Sequence, residues 1–199
     1  VVTPEASRAL YALLVGAVGL ERLFELWLTR RNLERARQRG GVEAGRGHYP
    51  AMVLLHALFL AACPTEVLLL ERPFRPALAA AMLLLLAGAM TLRYWAIATL
   101  GERWTTRVVV VPGEAAVTGG PYRRVRHPNY LAVVVEGVAL PLVHGAWLTA
   151  ALFTLANALM LAVRIRAEEA VLRRHADYAE RLGDRGRFLP RRRRGAAAR

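Results

Sequence analysis

The chain has 199 residues, 55% of them hydrophobic, with 28 Lys+Arg against 15 Asp+Glu and a formal net charge of +13. Every basic residue is Arg, and the charges cluster, leaving apolar runs long enough to cross a bilayer. That pattern excludes disorder and argues against a soluble enzyme or a nucleic-acid binder, whereas a membrane protein with basic cytoplasmic loops accounts for both facts.

Spanning the hydrocarbon core takes roughly 20 apolar residues as a helix. Segment one is expected from Ala9 to Leu28, ending in Arg30 and Arg31, a first span stopped by charge and not a cleavable signal. Segment two runs from Pro50 to Leu70, and its Cys63 is too solitary for a disulfide or a cysteine-built metal site. Segment three runs from Ala77 to Leu100. The β-branched stretch Val108 to Val111 is too short to span and reads as a short strand or a membrane-surface segment. Segment four, Asn129 to Val143, is short, and a His144-Gly145 corner joins it to segment five, Ala146 to Ile165, as a tight hairpin. Segment five continues as a charged helix past Glu169.

The loops 29–49 and 101–128 and the tail from Arg164 onward are Arg-rich, while the opposite side holds only Arg8, Arg72 and Arg75. Five segments place the three Arg-rich regions together in the cytoplasm, with the N-terminus outside. The expected fold is therefore an all-α integral membrane protein of about five transmembrane helices with a C-terminal cytoplasmic cofactor-binding region. Its parts are three N-terminal helices (1–100), a catalytic half (101–190) and a disordered basic tail (191–199) able to touch anionic lipid.

Ionisable residues at membrane depth face a bundle interior and often mark function. Glu21, His56, Arg93, Glu136 and Asn157 all fall roughly 10 Å below the cytoplasmic boundary, by helical rise. Arg93 is a natural partner for Glu21 or Glu25, which share a helix face at i,i+4. Glu136 and Asn157 read as pocket residues, and His56 as a packing residue.

The stretch Thr118-Gly-Gly-Pro-Tyr-Arg-Arg-Val-Arg-His-Pro-Asn-Tyr130 is a Gly/Pro-rich loop entering a helix with Pro128 at its first position. The free N–H groups of such a start favour a negative ligand group. Tyr122 and Tyr130 offer aromatic faces, and His127 a donor or base. Downstream, Arg164 and Glu168 share a helix face at i,i+4 with Glu169 beside them, so the two stretches together suit a zwitterion carrying an extra cation.

Arg126-His127-Pro128-Asn129-Tyr130 followed by Glu168-Glu169 resembles the RHPxY…EE signature of the isoprenylcysteine carboxyl methyltransferase family. The resemblance covers residues 101 to 190 well and the first three helices loosely. It implies an integral membrane enzyme that moves a methyl group from S-adenosylmethionine to a lipophilic acceptor. It also implies a cofactor site at Thr118, Gly119, Tyr122, Arg126, His127, Pro128, Tyr130, Leu131, Glu168 and Glu169. Catalytic roles fall to Arg164, Glu168 and Glu136, with Arg164 orienting the acceptor oxygen and a carboxylate taking a proton if the acceptor is a phenol.

Glu102-Arg-Trp-Thr-Thr-Arg107, Asn129-Tyr-Leu, Glu136 and Ala139-Leu-Pro141 look closest to a bacterial branch acting on phenolic lipids, the alkylresorcinols and alkylpyrones. A carboxylate acceptor of the isoprenylcysteine type is the alternative, and a membrane scaffold or small transporter the rivals from other classes. No metal, no nucleic-acid partner and a bacterial inner-membrane location complete the expectation. No GxGxxG supports a soluble nucleotide-binding site.

Overall fold

The computed structural model describes residues 3–175 and 177–190; the expected basic tail, 191–199, lies outside the described residues. In chain order the elements are α1 (Pro4–Gln38), β1 (Val42–Ala44), α2 (Tyr49–Leu69), α3 (Pro76–Leu100), β2 (Val108–Val110), α4 (Pro128–Leu142), α5 (Trp147–His175) and α6 (Tyr178–Leu182), with short 3-10 turns before α2, after α3 and at Gly120–Arg123. The protein is a multi-helix membrane fold with a cytoplasmic helical region and one small ribbon. In that ribbon β1 and β2 pair antiparallel, Val42 opposite Val110 and Ala44 opposite Val108.

Three helices, at Arg46–Leu69, Pro76–Arg103 and Trp147–Arg174, are long and apolar enough to cross a membrane. Helix α4 is apolar but only 15 residues long. Helix α1 extends far beyond the expected Ala9–Leu28, because nothing in Arg30–Gln38 breaks a helix. Its 35 residues rise about 52 Å, against about 30 Å of hydrocarbon. Thr3 caps its start by accepting from the Ala6 N–H at 3.2 Å. Its end is a Schellman turn, in which Gly40 takes φ 76° and the Gly41 N–H reaches the Ala36 carbonyl at 2.8 Å.

Tyr11, Val15 and Val18 of α1 pack with Phe59, Cys63 and Val67 of α2, Leu86 of α3, Leu140 of α4 and Phe153 of α5 in one core. Gly137 lets α4 meet α5, since a Cβ there would lie 2.5 Å from the Phe153 ring. The outward faces carry exposed leucines, among them Leu13, Leu84, Leu155 and Leu159, as expected where lipid is the solvent. At the end of the bundle away from the Arg-rich loops, Glu66 of α2 closes the N-terminus of α5. It accepts from the backbone N–H of Leu148 at 3.2 Å and of Thr149 at 2.6 Å, and pairs with Arg72 at 2.8 Å. A carboxylate there satisfies orphan donors and the helix dipole together.

Candidate functional site

At membrane depth the structure gathers charges from three helices. Arg93 of α3, 3% exposed, meets Glu25 at 3.2 Å and lies in a shorter ion pair with Glu136 of α4. Arg22 joins Glu25 at 2.8 Å, Glu21 at 3.0 Å and Glu136 at 3.6 Å. The expected Arg93–Glu25 partnership is present. Glu136 is drawn into the same cluster, because α4 packs directly on α3. Arg22 was assigned no role from sequence; its i,i+3 relation to Glu25 was the available signal.

Nearer the cytoplasmic end, the loop before α4 is built on Gly120, whose φ of 49° and contact with Thr99 and Trp95 leave no room for a side chain. The segment after α6 then straps this loop in place. Arg126 N–H donates to the Gly186 carbonyl at 2.9 Å and His127 N–H to the Arg187 carbonyl at 3.0 Å, and Arg185 bonds the Tyr122 carbonyl. Asp177, ahead of α6, accepts from the Ala116 N–H at 2.7 Å and pairs with Arg181. These two contacts hold its carboxyl below the usual range.

The two adjacent acids of α5 have different surroundings. Glu169, 3% exposed, accepts from Arg187 at 2.8 and 3.0 Å, from His127 Nε2 at 3.2 Å and from Arg173 at 3.3 Å, with Arg126 at 3.2 Å. It pins the Arg126-His127 turn and the C-terminal strap onto α5. Glu168 accepts from the Tyr130 hydroxyl, and its side chain keeps 29% of its surface open.

A cavity of about 380 Å³ connects the two levels, reaching from Tyr122, His127, Tyr130, Arg164 and Glu168 down to Arg22, Glu25, His56, Arg93 and Asn157. Its wall between α1 and α2 is apolar, with Gly19, Leu23, Leu26, Val53 and Leu60, and β2 supplies Val108 to Val110. A second recess of about 150 Å³, bordered by Arg103, Tyr122, Arg126, Glu168 and Tyr178, adjoins it. Burial, and after it the Glu168 charge, push the Tyr122 phenol far above its ordinary range. It remains a neutral group at this border.

Arg164 is the distinctive residue of the cavity. It is 4% exposed, donates to the Thr106 carbonyl at 2.7 Å and stands 5.7 Å from the Tyr130 ring centre. Its Nε has no partner, and among the described residues no carboxylate lies within ion-pair distance of it. Thr106 is itself fixed by Thr29, which accepts from its N–H at 3.0 Å, and by the Tyr49 hydroxyl at 3.1 Å.

Of the residues expected from sequence, Tyr122, Arg126, His127, Tyr130, Arg164 and Glu168 border the cavity. Thr118, Gly119, Pro128, Leu131, Glu136 and Glu169 do not. Pro128 and Glu169 are buried behind the wall as supports, and Glu136 is spent on Arg93 and Arg22. Trp104 and Thr106 lie in the Glu102–Arg107 stretch, to which the sequence reading gives no site role, and Arg187 lies outside every motif it quotes. Trp104 is 2% exposed on the cavity wall with an unpartnered indole N–H. Their roles come from contacts over long chain separations, which no local pattern announces.

The profile of the isoprenylcysteine carboxyl methyltransferase (ICMT) family matches residues 80–174, the span from α3 to the end of α5. The chain is 36% identical over 168 residues to the protein YpbQ of Bacillus subtilis (strain 168), covering 84% of this chain and 99% of the relative. It is 26% identical over 152 residues to a protein of Haemophilus influenzae, covering 76% of this chain and 88% of that one. Among solved structures it resembles the eukaryotic intramembrane Ras methyltransferase ICMT, with a TM-score of 0.50 at 23% identity over 72% of this chain. The match spans about half of that enzyme, 53% of its length, and establishes likeness of fold. The profile match on the half that carries the loop and the paired acids, with end-to-end similarity to a bacterial relative, places this chain in the isoprenylcysteine carboxyl methyltransferase family, as a membrane methyltransferase of the S-adenosylmethionine-dependent kind.

Proposed function

We propose that this chain transfers the methyl group of S-adenosylmethionine to an oxygen that is already anionic, on a lipophilic acceptor held in the cavity. The observation that carries this reading is Arg164: a buried guanidinium without a carboxylate partner, on the wall of an apolar cavity. Leaving such a charge unpaired costs several kcal/mol, which an incoming anion offsets. An isoprenylcysteine-type carboxylate arrives ionised and needs no base.

The cavity's polar inventory fits the cofactor. Glu168 has surface open for an ammonium. Arg126 Nε and the Trp104 indole N–H are buried donors without partners, suited to a carboxylate or a heterocycle edge. Tyr130 and Tyr122 supply aromatic faces for a cation. When bound, S-adenosylmethionine supplies an electrophilic methyl carbon on a sulfonium. In this reading Tyr130 and Glu168 would hold the cofactor's amino-acid end, while Arg164, itself fixed by Thr106, would hold the acceptor oxygen. The apolar wall would keep water from competing for that carbon. Residues 1–100 then serve as the lipid-facing half and 101–190 as the catalytic half. Helices α1 to α5 count as spans, the short α4 included, with the N-terminus outside and the Arg-rich loops and cofactor end in the cytoplasm.

A second reading, a phenolic lipid acceptor, draws on the open face of Glu168. A resorcinol, with a phenol pKa of about 10, needs a base, and Glu168 is the carboxylate at that end of the cavity. The acidic enol of an alkylpyrone behaves like a carboxylate in this respect.

The test is transfer of labelled methyl by the protein in lipid nanodiscs to three acceptors: a farnesylated cysteine, an alkylpyrone and an alkylresorcinol. Turnover of an acceptor already ionised stays flat between pH 6 and 8. A resorcinol that must lose its proton without help gains about tenfold per pH unit. A flat profile with the resorcinol as the best acceptor would favour the second reading. No transfer to any of the three would defeat both.

A further inference from the structure

The floor of the cavity is polar where a plain hydrocarbon tail would require it to be apolar. Asn157 of α5 is 3% exposed, borders the cavity, and its side-chain oxygen has no hydrogen-bond partner. His56 of α2 borders the same end. Its Nδ1 lies 2.9 Å from the Met52 carbonyl, an acceptor only, so Nδ1 carries the proton. In the neutral ring Nε2 is then a free acceptor. The His56 ring is fixed edge-on against Phe153, which stacks on Phe59 at 3.9 Å. Asn157 and Arg164 are seven residues apart, two helical turns on one face of α5, about 10 Å along the axis. Leu161, between them, also borders the cavity.

A buried amide oxygen left unpaired costs about 1–3 kcal/mol, and a hydrocarbon chain laid across it does nothing to relieve that. We propose that Asn157 and His56 form a second hydrogen-bonding subsite, which reads a hydroxyl on the acceptor's chain two helical turns from the oxygen held by Arg164. A hydroxyl supplies the donor that the unpaired Asn157 oxygen lacks, and its single proton can instead go to His56 Nε2 with its own oxygen accepting from the Asn157 N–H. A ketone meets only the amide N–H, and a plain chain meets neither. The inference rests on the proposed reading that Arg164 holds the acceptor's anionic oxygen, and it narrows the substrate class to hydroxylated lipophilic anions.

The experiment reads binding, so it does not depend on turnover. Octadecanoate, 10-oxo-octadecanoate and 10-hydroxyoctadecanoate, in which the chain substituent stands about that far from the carboxylate, compete against a radiolabelled fatty acid for the protein in nanodiscs with S-adenosylhomocysteine present. The hydroxy acid should bind about tenfold tighter than the plain acid, with the oxo acid between them. Asn157→Leu should abolish this order while keeping or improving affinity for octadecanoate. Equal binding of all three acids by the wild-type protein, as a cavity floor satisfied by water would give, overturns the subsite. So does failure of all three to bind, or an order that survives Asn157→Leu. Loss of methyl transfer with the order of binding intact would instead count against the methyltransferase reading alone.

Discussion

The cluster at membrane depth and the cluster at the cytoplasmic end of the cavity are built from the same residue types and treat charge in opposite ways. Around Arg93 every guanidinium has carboxylates at ion-pair distance, drawn from α1 and α4. Around Arg164, two turns further along α5 than Asn157, the guanidinium has a backbone carbonyl and the Tyr130 side chain, and among the described residues no carboxylate at ion-pair distance. The adjacent acids Glu168 and Glu169 repeat the contrast at the scale of one residue. Glu169 is surrounded by Arg126, His127, Arg173 and Arg187, while Glu168 holds one tyrosine hydroxyl, stands 3.9 Å from His127 Nδ1 and keeps an open face. Charge that is fully paired within the chain fixes architecture, and charge left open toward a cavity is available to ligands.

The contrast predicts where substitutions should hurt stability and where they should hurt chemistry. Arg93→Leu leaves Glu25 and Glu136 buried with only Arg22 between them. Unfolding in detergent should become easier by about 3–5 kcal/mol, the cost of breaking a buried pair from one side. Adding Glu136→Leu should recover part of that loss, and a double mutant no better than the single would detach Glu136 from the cluster.

Glu169→Ala should cost about 3 kcal/mol. It should also free the 185–187 strap, seen as faster trypsin cleavage at Arg185 and Arg187. If Glu169 were a cofactor ligand instead, cofactor affinity would fall with no change in cleavage. Glu168→Ala should weaken S-adenosylmethionine binding by about 2 kcal/mol, the low end for a truncated charge pair, because this side chain is partly open to solvent. Calorimetry showing unchanged affinity would remove Glu168 from the cofactor site. At the small end, Arg35→Ala opposes an exposed pair with Glu102 at 2.5 Å and should change stability by less than about 1 kcal/mol. A larger loss would mean that the cytoplasmic extension of α1 is fastened mainly by that pair.

Much of this division was legible in the sequence, for physical reasons that vary by region. The bounds of α2, α3 and α4 fell within a residue or so of the apolar runs, because Pro50, Pro76 and Pro128 fix helix starts and long apolar stretches have one use in a bilayer. Segment one was read too short: its limit was set by the arrival of Arg30, which marks the edge of hydrocarbon but not the end of a helix. Arg164 and Glu168, related by i,i+4, and all of the Arg126–Tyr130 loop but Pro128 border the cavity. Which neighbouring acid faced it could not be read, since Glu168 and Glu169 differ only through partners such as Arg187 that lie far along the chain. Depth and resemblance make Glu136 one of two candidate proton acceptors, and its capture by Arg93 depends on how closely α4 packs on α3. His56 looked like packing because its neighbours in sequence are apolar; its free ring nitrogen follows from the bond to Met52, which only the folded helix makes.

The central claim, that Arg164 is left unpaired in order to hold an acceptor oxygen, is tested most directly by Arg164→Lys in a paired measurement of S-adenosylmethionine affinity and methyl-transfer turnover. The substitution keeps the charge and loses the planar fork. Turnover should fall by about 10²-fold, comparable to losing one oxyanion donor, while cofactor affinity and unfolding temperature stay close to wild type. Cofactor affinity falling in step with turnover would contradict the account by placing Arg164 in the cofactor site, and undiminished turnover would show that the oxygen is held elsewhere.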